Sequence, residues 1–206
     1  NVSSAGDVNG DGLADLIFGT PGSVLGSTNT AGTAYIVFGK ATNTQQSFSD
    51  IANGIGGFRV ISDVDSEQLG GSVSSAGDVN GDGLADVIVG AYVASPNGKS
   101  RAGKSYVVFG KSNNTTPVKA SDLMNGIGGF VINGEATSDG SGFAVSNAGD
   151  VNGDGLEDVI ISARATICAE CCCLEAAAEQ SRHHFVVKEL HAAIRMMNHK
   201  PLFCAE

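Results

Sequence analysis

Three short stretches of this chain hold the residue types that chemistry needs, at one spacing. Asp7-Val-Asn-Gly-Asp-Gly-Leu-Ala-Asp15 recurs from Asp78 to Asp86 and again as Asp150-Val-Asn-Gly-Asp-Gly-Leu-Glu-Asp158. Positions 1, 3, 5 and 9 of each copy are oxygen donors. They are Asp7, Asn9, Asp11 and Asp15, then Asp78, Asn80, Asp82 and Asp86, then Asp150, Asn152, Asp154 and Asp158. Alternate spacing on a tight turn points the first three donors inward together. The glycines between and after them let the chain bend sharply. Position 7 is Leu13, Leu84 or Leu156, which can offer only a backbone carbonyl. The last Asp, at the start of the next strand-like run, closes the cage.

Such a set suits Ca²⁺, which takes about 6–8 hard oxygens and lets water complete the shell. Mg²⁺ demands a tighter octahedron, and Zn²⁺ prefers His or Cys donors. The competing reading is a plain turn capped by Asx side chains, with no metal. Three copies keep the same four donors, however, and carboxylates converging without a cation repel one another. One Ca²⁺ per loop, three in all, is therefore expected. The loops are not EF-hands, which need a Glu at position 12; here that position is Phe18, Val89 and Ile161.

The loops sit inside a longer repeat. Ala31-Gly-Thr-Ala-Tyr-Ile-Val-Phe-Gly-Lys40 matches Ala102-Gly-Lys-Ser-Tyr-Val-Val-Phe-Gly-Lys111, and Asn53-Gly-Ile-Gly-Gly-Phe58 matches Asn125-Gly-Ile-Gly-Gly-Phe130. One unit is about 71 residues, the offset between the first two Asp loops. Within it, short runs rich in Val, Ile, Phe and Tyr alternate with Gly, Asn, Asp and Ser punctuation, the pattern of strands and turns. In the second unit the strands are expected at 71–76, 85–90, 105–109 and 129–133. Four strands per repeat describe a β-propeller blade. The fold class is thus all-β: a partial β-propeller of two four-stranded blades plus the first hairpin of a third, with a short α-helical C-terminal tail. Propellers usually close with about 4–8 blades, so the chain is expected to be a fragment of a longer propeller.

Composition agrees with this and narrows function. The chain has 206 residues, 29 of them Gly, and a net charge of −10. That balance argues against nucleic acid as a partner. No apolar run is long enough to insert in a membrane as a helix. Residues 1–164 hold 17 acidic and 8 basic residues. Three bound divalent ions would bring that region from −9 to about −3.

An Asp-x-Asn-x-Asp-Gly-x-x-Asp loop, followed by a strand and a Phe-Gly-x-Pro-like turn, resembles the FG-GAP repeat. Phe18-Gly-Thr-Pro21 carries that turn in the first copy; Val89-Gly-Ala-Tyr92 and Ile161-Ser-Ala-Arg164 are its looser counterparts. The resemblance covers about residues 1–164. The FG-GAP repeat builds the propeller of integrin α subunits and of related bacterial surface proteins. It implies Ca²⁺ held by the loop between a blade's first and second strands, on Asp7, Asn9, Asp11, the Leu13 carbonyl and Asp15 and on the matching positions of the other copies. It also implies an extracellular or cell-surface module for adhesion, with a protein or glycan ligand on the face away from the metal hairpins. The alternative is the non-catalytic accessory propeller of a secreted, phospholipase-like hydrolase whose catalytic domain lies outside this chain. No enzyme activity is expected. A Gly-x-Ser-x-Gly elbow is absent, and every His follows Arg164.

Residues 165–206 read differently. They hold every Cys (168, 171, 172, 173 and 204) and no Gly. Ala and Glu favour helix there, and Val186, Leu190, Ala193, Ile194 and Met197 fall at helical spacing before Pro201. The segment is expected to be a Cys- and His-containing helical tail, either covering an edge or foreign to the propeller. Cys168, Cys171 and His184 open a zinc-finger-like pattern, but His191 comes too late to complete it. The three adjacent cysteines allow disulfides in an exported chain, with an odd thiol left over. Asn113 and Asn114 begin sequons, a weak signal on their own.

Overall fold

The structure is a computed structural model that describes residues 1–22, 31–64, 66–112 and 115–164, together with the backbone of 183–188. Its strands form three antiparallel sheets in chain order. The first sheet runs β1 (Val2–Gly6), β2 (Asp15–Thr20), β3 (Thr33–Val37) and β4 (Gly57–Ile61), with α1 (Phe48–Ala52) between the last two. The second runs β5 (Ser72–Gly77), β6 (Asp86–Ala91), β7 (Lys104–Val108) and, after β8 (Val118–Lys119) and α2 (Ala120–Met124), β9 (Gly129–Asn133). Strand β8 leaves this sheet and pairs parallel with β4 of the first, so the two blades share a backbone ladder. The third sheet holds β10 (Ala144–Gly149), β11 (Asp158–Arg164) and β12 (His183–Lys188).

Strand order and boundaries match the sequence expectation to within a residue or so, and the architecture is a partial all-β propeller. One stretch differs. Helical spacing from Val186 gives way to β12, which pairs antiparallel with β11 from Val159↔Lys188 to Arg164↔His183. The physical reason is local composition and an available partner. Phe185-Val186-Val187 is an aromatic and β-branched run, and β11 offers a strand edge whose backbone groups need partners. The third blade therefore has a third strand. The other tail residues, their cysteines and the zinc pattern lie outside the described residues, as do Asn113 and Asn114.

Every first hairpin carries the same irregularity. Register shifts between Ser4 and Gly6, between Ser75 and Gly77, and between Asn147 and Gly149. Each shift inserts one residue and ends at a glycine with φ of +79°, +72° or +73°. A side chain is disfavoured in that left-handed conformation. The bulge bends the strand as it enters the Asp loop.

Alternation along the strands builds the core. In β6, Val87 and Val89 face the first blade, whereas Ile88 faces the third. The interface between blades one and two buries Ala5, Val8, Ile17, Val73, Val87 and Val89 among others. The interface between blades two and three repeats it with Ala76, Val79, Ile88, Val159 and Ile161. A polar pin adds to the first interface. Glu67, in the connection from β4 to β5, accepts from Lys104 Nζ at 2.6 Å and from the Tyr106 hydroxyl at 2.9 Å, with all three residues buried. Ser62 Oγ also donates to Glu67 at 2.8 Å. A buried charge pair needs such further hydrogen bonds to offset its desolvation.

Candidate metal loops

The three Asp loops fold alike because the first Asp organises each turn. Asp7 Oδ1 accepts from the amides of Gly10 (2.8 Å) and Asp11 (3.1 Å), and Oδ2 accepts from Gly12 (2.8 Å). Asp78 does the same for Gly81, Asp82 and Gly83, and Asp150 for Gly153, Asp154 and Gly155. Position 3 braces position 5. Asn9 Oδ1 accepts from the Asp11 amide at 2.9 Å, and Asn80 and Asn152 repeat this with Asp82 and Asp154 at 2.8 Å. Asp11, Asp82 and Asp154 in turn accept from the amides of Leu13, Leu84 and Leu156. The side chain at position 7 thus turns away while its backbone stays in the loop.

Position 9 has a second task that the spacing alone does not reveal. Asp15 is fully buried; its Oδ2 accepts from the Val8 amide and its Oδ1 from Gly39, both at 2.8 Å. Asp86 does likewise with Val79 at 3.0 Å and Gly110 at 2.7 Å. Asp158 accepts from Val151 at 2.9 Å. The carboxylate ties the hairpin to the Phe-Gly-Lys block at the end of the third strand. The signal for this brace was the repeat of Phe38-Gly39-Lys40 as Phe109-Gly110-Lys111. A Cβ at Gly39 would stand 2.5 Å from the Ala14 carbonyl oxygen, so only glycine brings its amide this close.

Burial works against ionisation of Asp15 and Asp86. Desolvation pushes Asp86 up to about 7, with the Asp82 and Asp78 carboxylates adding to it and the two amide bonds opposing it. Asp15 is raised for the same causes. Among the described residues, no three Asp, Glu, His or Cys side chains converge as a ready-made cation cluster. The donor chemistry nonetheless fits a hard cation. Each loop brings two acidic side chains and an amide oxygen onto one turn, above a buried carboxylate. Each carboxylate oxygen that accepts one amide retains further acceptor capacity.

At the opposite ends of the strands, Phe143 meets Tyr92 edge-on at 5.6 Å, and the Arg164 guanidinium lies 5.4 Å over the Phe143 ring. Phe143 is 44% exposed. Sequence reasoning met Tyr92 and Arg164 only as turn residues and passed over Phe143, since nothing in their spacing brings the three together.

Strand repeats that each carry a bulged Asp loop in the first hairpin define the class: a partial β-propeller of FG-GAP repeats. The FG-GAP repeat family model matches residues 1–37 and 70–108. The chain is 33% identical over 169 residues to integrin alpha pat-2 of Caenorhabditis briggsae, covering 76% of this chain and 12% of that protein. It is 32% identical over 164 residues to integrin alpha pat-2 of Caenorhabditis elegans, again 76% of this chain and 12% of the relative. It is 26% identical over 159 residues to integrin alpha-4 of Xenopus laevis, 77% of this chain and 14% of the relative. The repeat region is integrin α-like, and the chain spans about one eighth of the length of these relatives.

Proposed function

We propose that this chain is a Ca²⁺-stiffened propeller module, extracellular or at the cell surface, that acts in adhesion by binding a protein or glycan and performs no catalysis. The observation that carries it is the threefold loop: one hydrogen-bond scheme around Asp7, Asp78 and Asp150, each above a buried carboxylate of Asp15, Asp86 or Asp158. Asp7, Asn9, Asp11, the Leu13 carbonyl and Asp15 would hold the first ion. Asp78, Asn80, Asp82, Leu84 and Asp86 would hold the second, and Asp150, Asn152, Asp154, Leu156 and Asp158 the third. The ion would supply the positive charge that the buried carboxylates lack, and it would fix the hairpin between a blade's first two strands. The aromatic and guanidinium cluster of Tyr92, Phe143 and Arg164 sits at the other strand ends, where a ligand would meet it without competing with the metal.

Calorimetric titration of the metal-free chain with Ca²⁺ tests this reading. Saturation near three ions is expected. At free Ca²⁺ tenfold above Kd, each loop adds ~1.4 kcal/mol to stability, so the melting temperature rises. Asp11→Ala, Asp82→Ala and Asp154→Ala should each remove one ion from the count. A cooperatively folded chain with no saturable Ca²⁺ binding would leave three Asx-capped turns and end the metal reading.

A further inference from the structure

The polar pin of the first blade interface is short of acceptors on one side. The Lys104 ammonium carries three donors. One of them meets Glu67 Oε1 at 2.6 Å. Among the described residues, the next polar atom on the ammonium is Met124 Sδ at 3.9 Å, and the Tyr106 ring lies farther off at 5.9 Å. Glu67 is better matched, since its Oε2 accepts from both the Tyr106 and the Ser62 hydroxyls. The shortage is therefore on the cation side. A buried ammonium needs acceptors for the protons that its carboxylate leaves over, and a thioether sulfur is a weak one.

Met124 is placed to change that balance. It is the last residue of α2 and is 45% exposed, so a small oxidant reaches it from solvent, yet its sulfur touches a buried charge. The arrangement is particular to blade two. Thr33 and Ala52 stand at the equivalent places of blade one, and neither offers an ammonium or a sulfur. Hydrogen peroxide converts such a thioether to a sulfoxide. A sulfur lone pair attacks one peroxide oxygen and the O–O bond breaks. The hydroxide that leaves takes the proton from the new S–OH group and departs as water. The sulfur is oxidised by two electrons and the peroxide is reduced.

We infer that Met124 is an oxidation site whose sulfoxide tightens the contact between the first two blades. The sulfoxide oxygen is a strong acceptor, held one bond from a sulfur that already touches the ammonium. Rotation about the last bonds of the side chain brings it within hydrogen-bond reach of Lys104 Nζ. There it takes a donor that Glu67 leaves over. The usual outcome of methionine oxidation is the opposite, because a polar sulfoxide disrupts a core. Met124 belongs to neither apolar cluster, so little packing is lost when its sulfur becomes polar. The inference rests on the Glu67, Lys104 and Met124 geometry, and is independent of the metal reading and of an adhesive role.

Peroxide treatment of the full chain tests it, with the thiols alkylated beforehand and Ca²⁺ held fixed. Peptide mass spectrometry should find one added oxygen on Met124 while circular dichroism shows the chain still folded. The melting temperature of the treated wild type should rise by about 2–4 °C. A Met124→Leu variant treated in the same way should show no such rise, which separates Met124 from Met196 and Met197. Met124→Gln sets an amide oxygen near the same spot without an oxidant. It should melt above Met124→Leu, although leucine is at least as good a helix former. That gain should vanish when Lys104→Met removes the donor; if Lys104→Met does not fold, the comparison of Gln with Leu decides alone. A Met124 that resists oxidation in the folded chain, a treated wild type that melts no higher, or a Gln variant no more stable than the Leu variant overturns the inference.

Discussion

The second blade and its two neighbours are built from the same repeat, yet their residues live in different environments. Ile88 is fully buried, whereas Ile160, its equivalent in blade three, is half-buried. Val87 is fully buried, whereas Leu16, its equivalent in blade one, is 46% exposed. Burial in a repeat array is therefore a property of the neighbour as much as of the residue, and stability is the sum of units and interfaces. The central blade, covered on both faces, should dominate the response to mutation.

The largest effect is expected at the polar pin of the first interface. Glu67→Leu leaves the Lys104 ammonium buried without its carboxylate and should cost ~3–5 kcal/mol. Among the described residues, Asp139, its equivalent at the second interface, accepts from the Ala136 amide in its own exposed loop at 2.7 Å. Asp139→Leu should therefore cost much less. Urea denaturation of both variants checks this, and equal losses would show that the two interfaces are not distinguished by the pin.

Next comes the apolar comparison. Ile88→Ala removes a side chain from a closed interface and should cost ~2–5 kcal/mol. Ile160→Ala, at a half-covered position, should cost about 1 kcal/mol or less in dilute solution. Similar losses at both positions would break the claim that the neighbour decides.

The fold was legible because its signals are local. Alternating Val and Ile runs mark the strands, glycines mark the bulges, and a fixed spacing marks the loops. The hydrogen-bonding role of Asp7 follows from its position in a tight turn. What the chain did not disclose depends on distant partners. Asp15 meets Gly39, 24 residues on, and Lys104 meets Glu67 across a blade interface. Neither pairing leaves a periodic trace. Helices α1 and α2 are single turns of five residues each, too short for a 3.6-residue pattern to show. Ser47 caps α1 through a capping box with Asp50, a signal that only the folded turn makes plain. Strand β12 was obscured because Val186 fits a helical spacing as well as a strand, and the choice rests on the open edge of β11.

The smallest effect concerns one lysine and its twin. Lys111 ends the Phe-Gly-Lys block of blade two, and its ammonium lies 4.1 Å over the Phe58 ring of blade one. Burial lowers its pKa from 10.5 to about 8. Between those values the unfolded chain binds more protons than the folded one, so stability rises with pH from about 8 towards 10.5. Below about 8 both states carry the proton, and the penalty for holding the charge is constant. Partial exposure screens that penalty, so the slope should be shallow. Lys40, the equivalent in blade one, is exposed. Lys111→Met should therefore flatten the rise seen in melts between pH 8 and 10, while Lys40→Met should leave it in place. If both substitutions flatten it equally, the two lysines share one environment, and the contrast between covered and uncovered blades fails at this position.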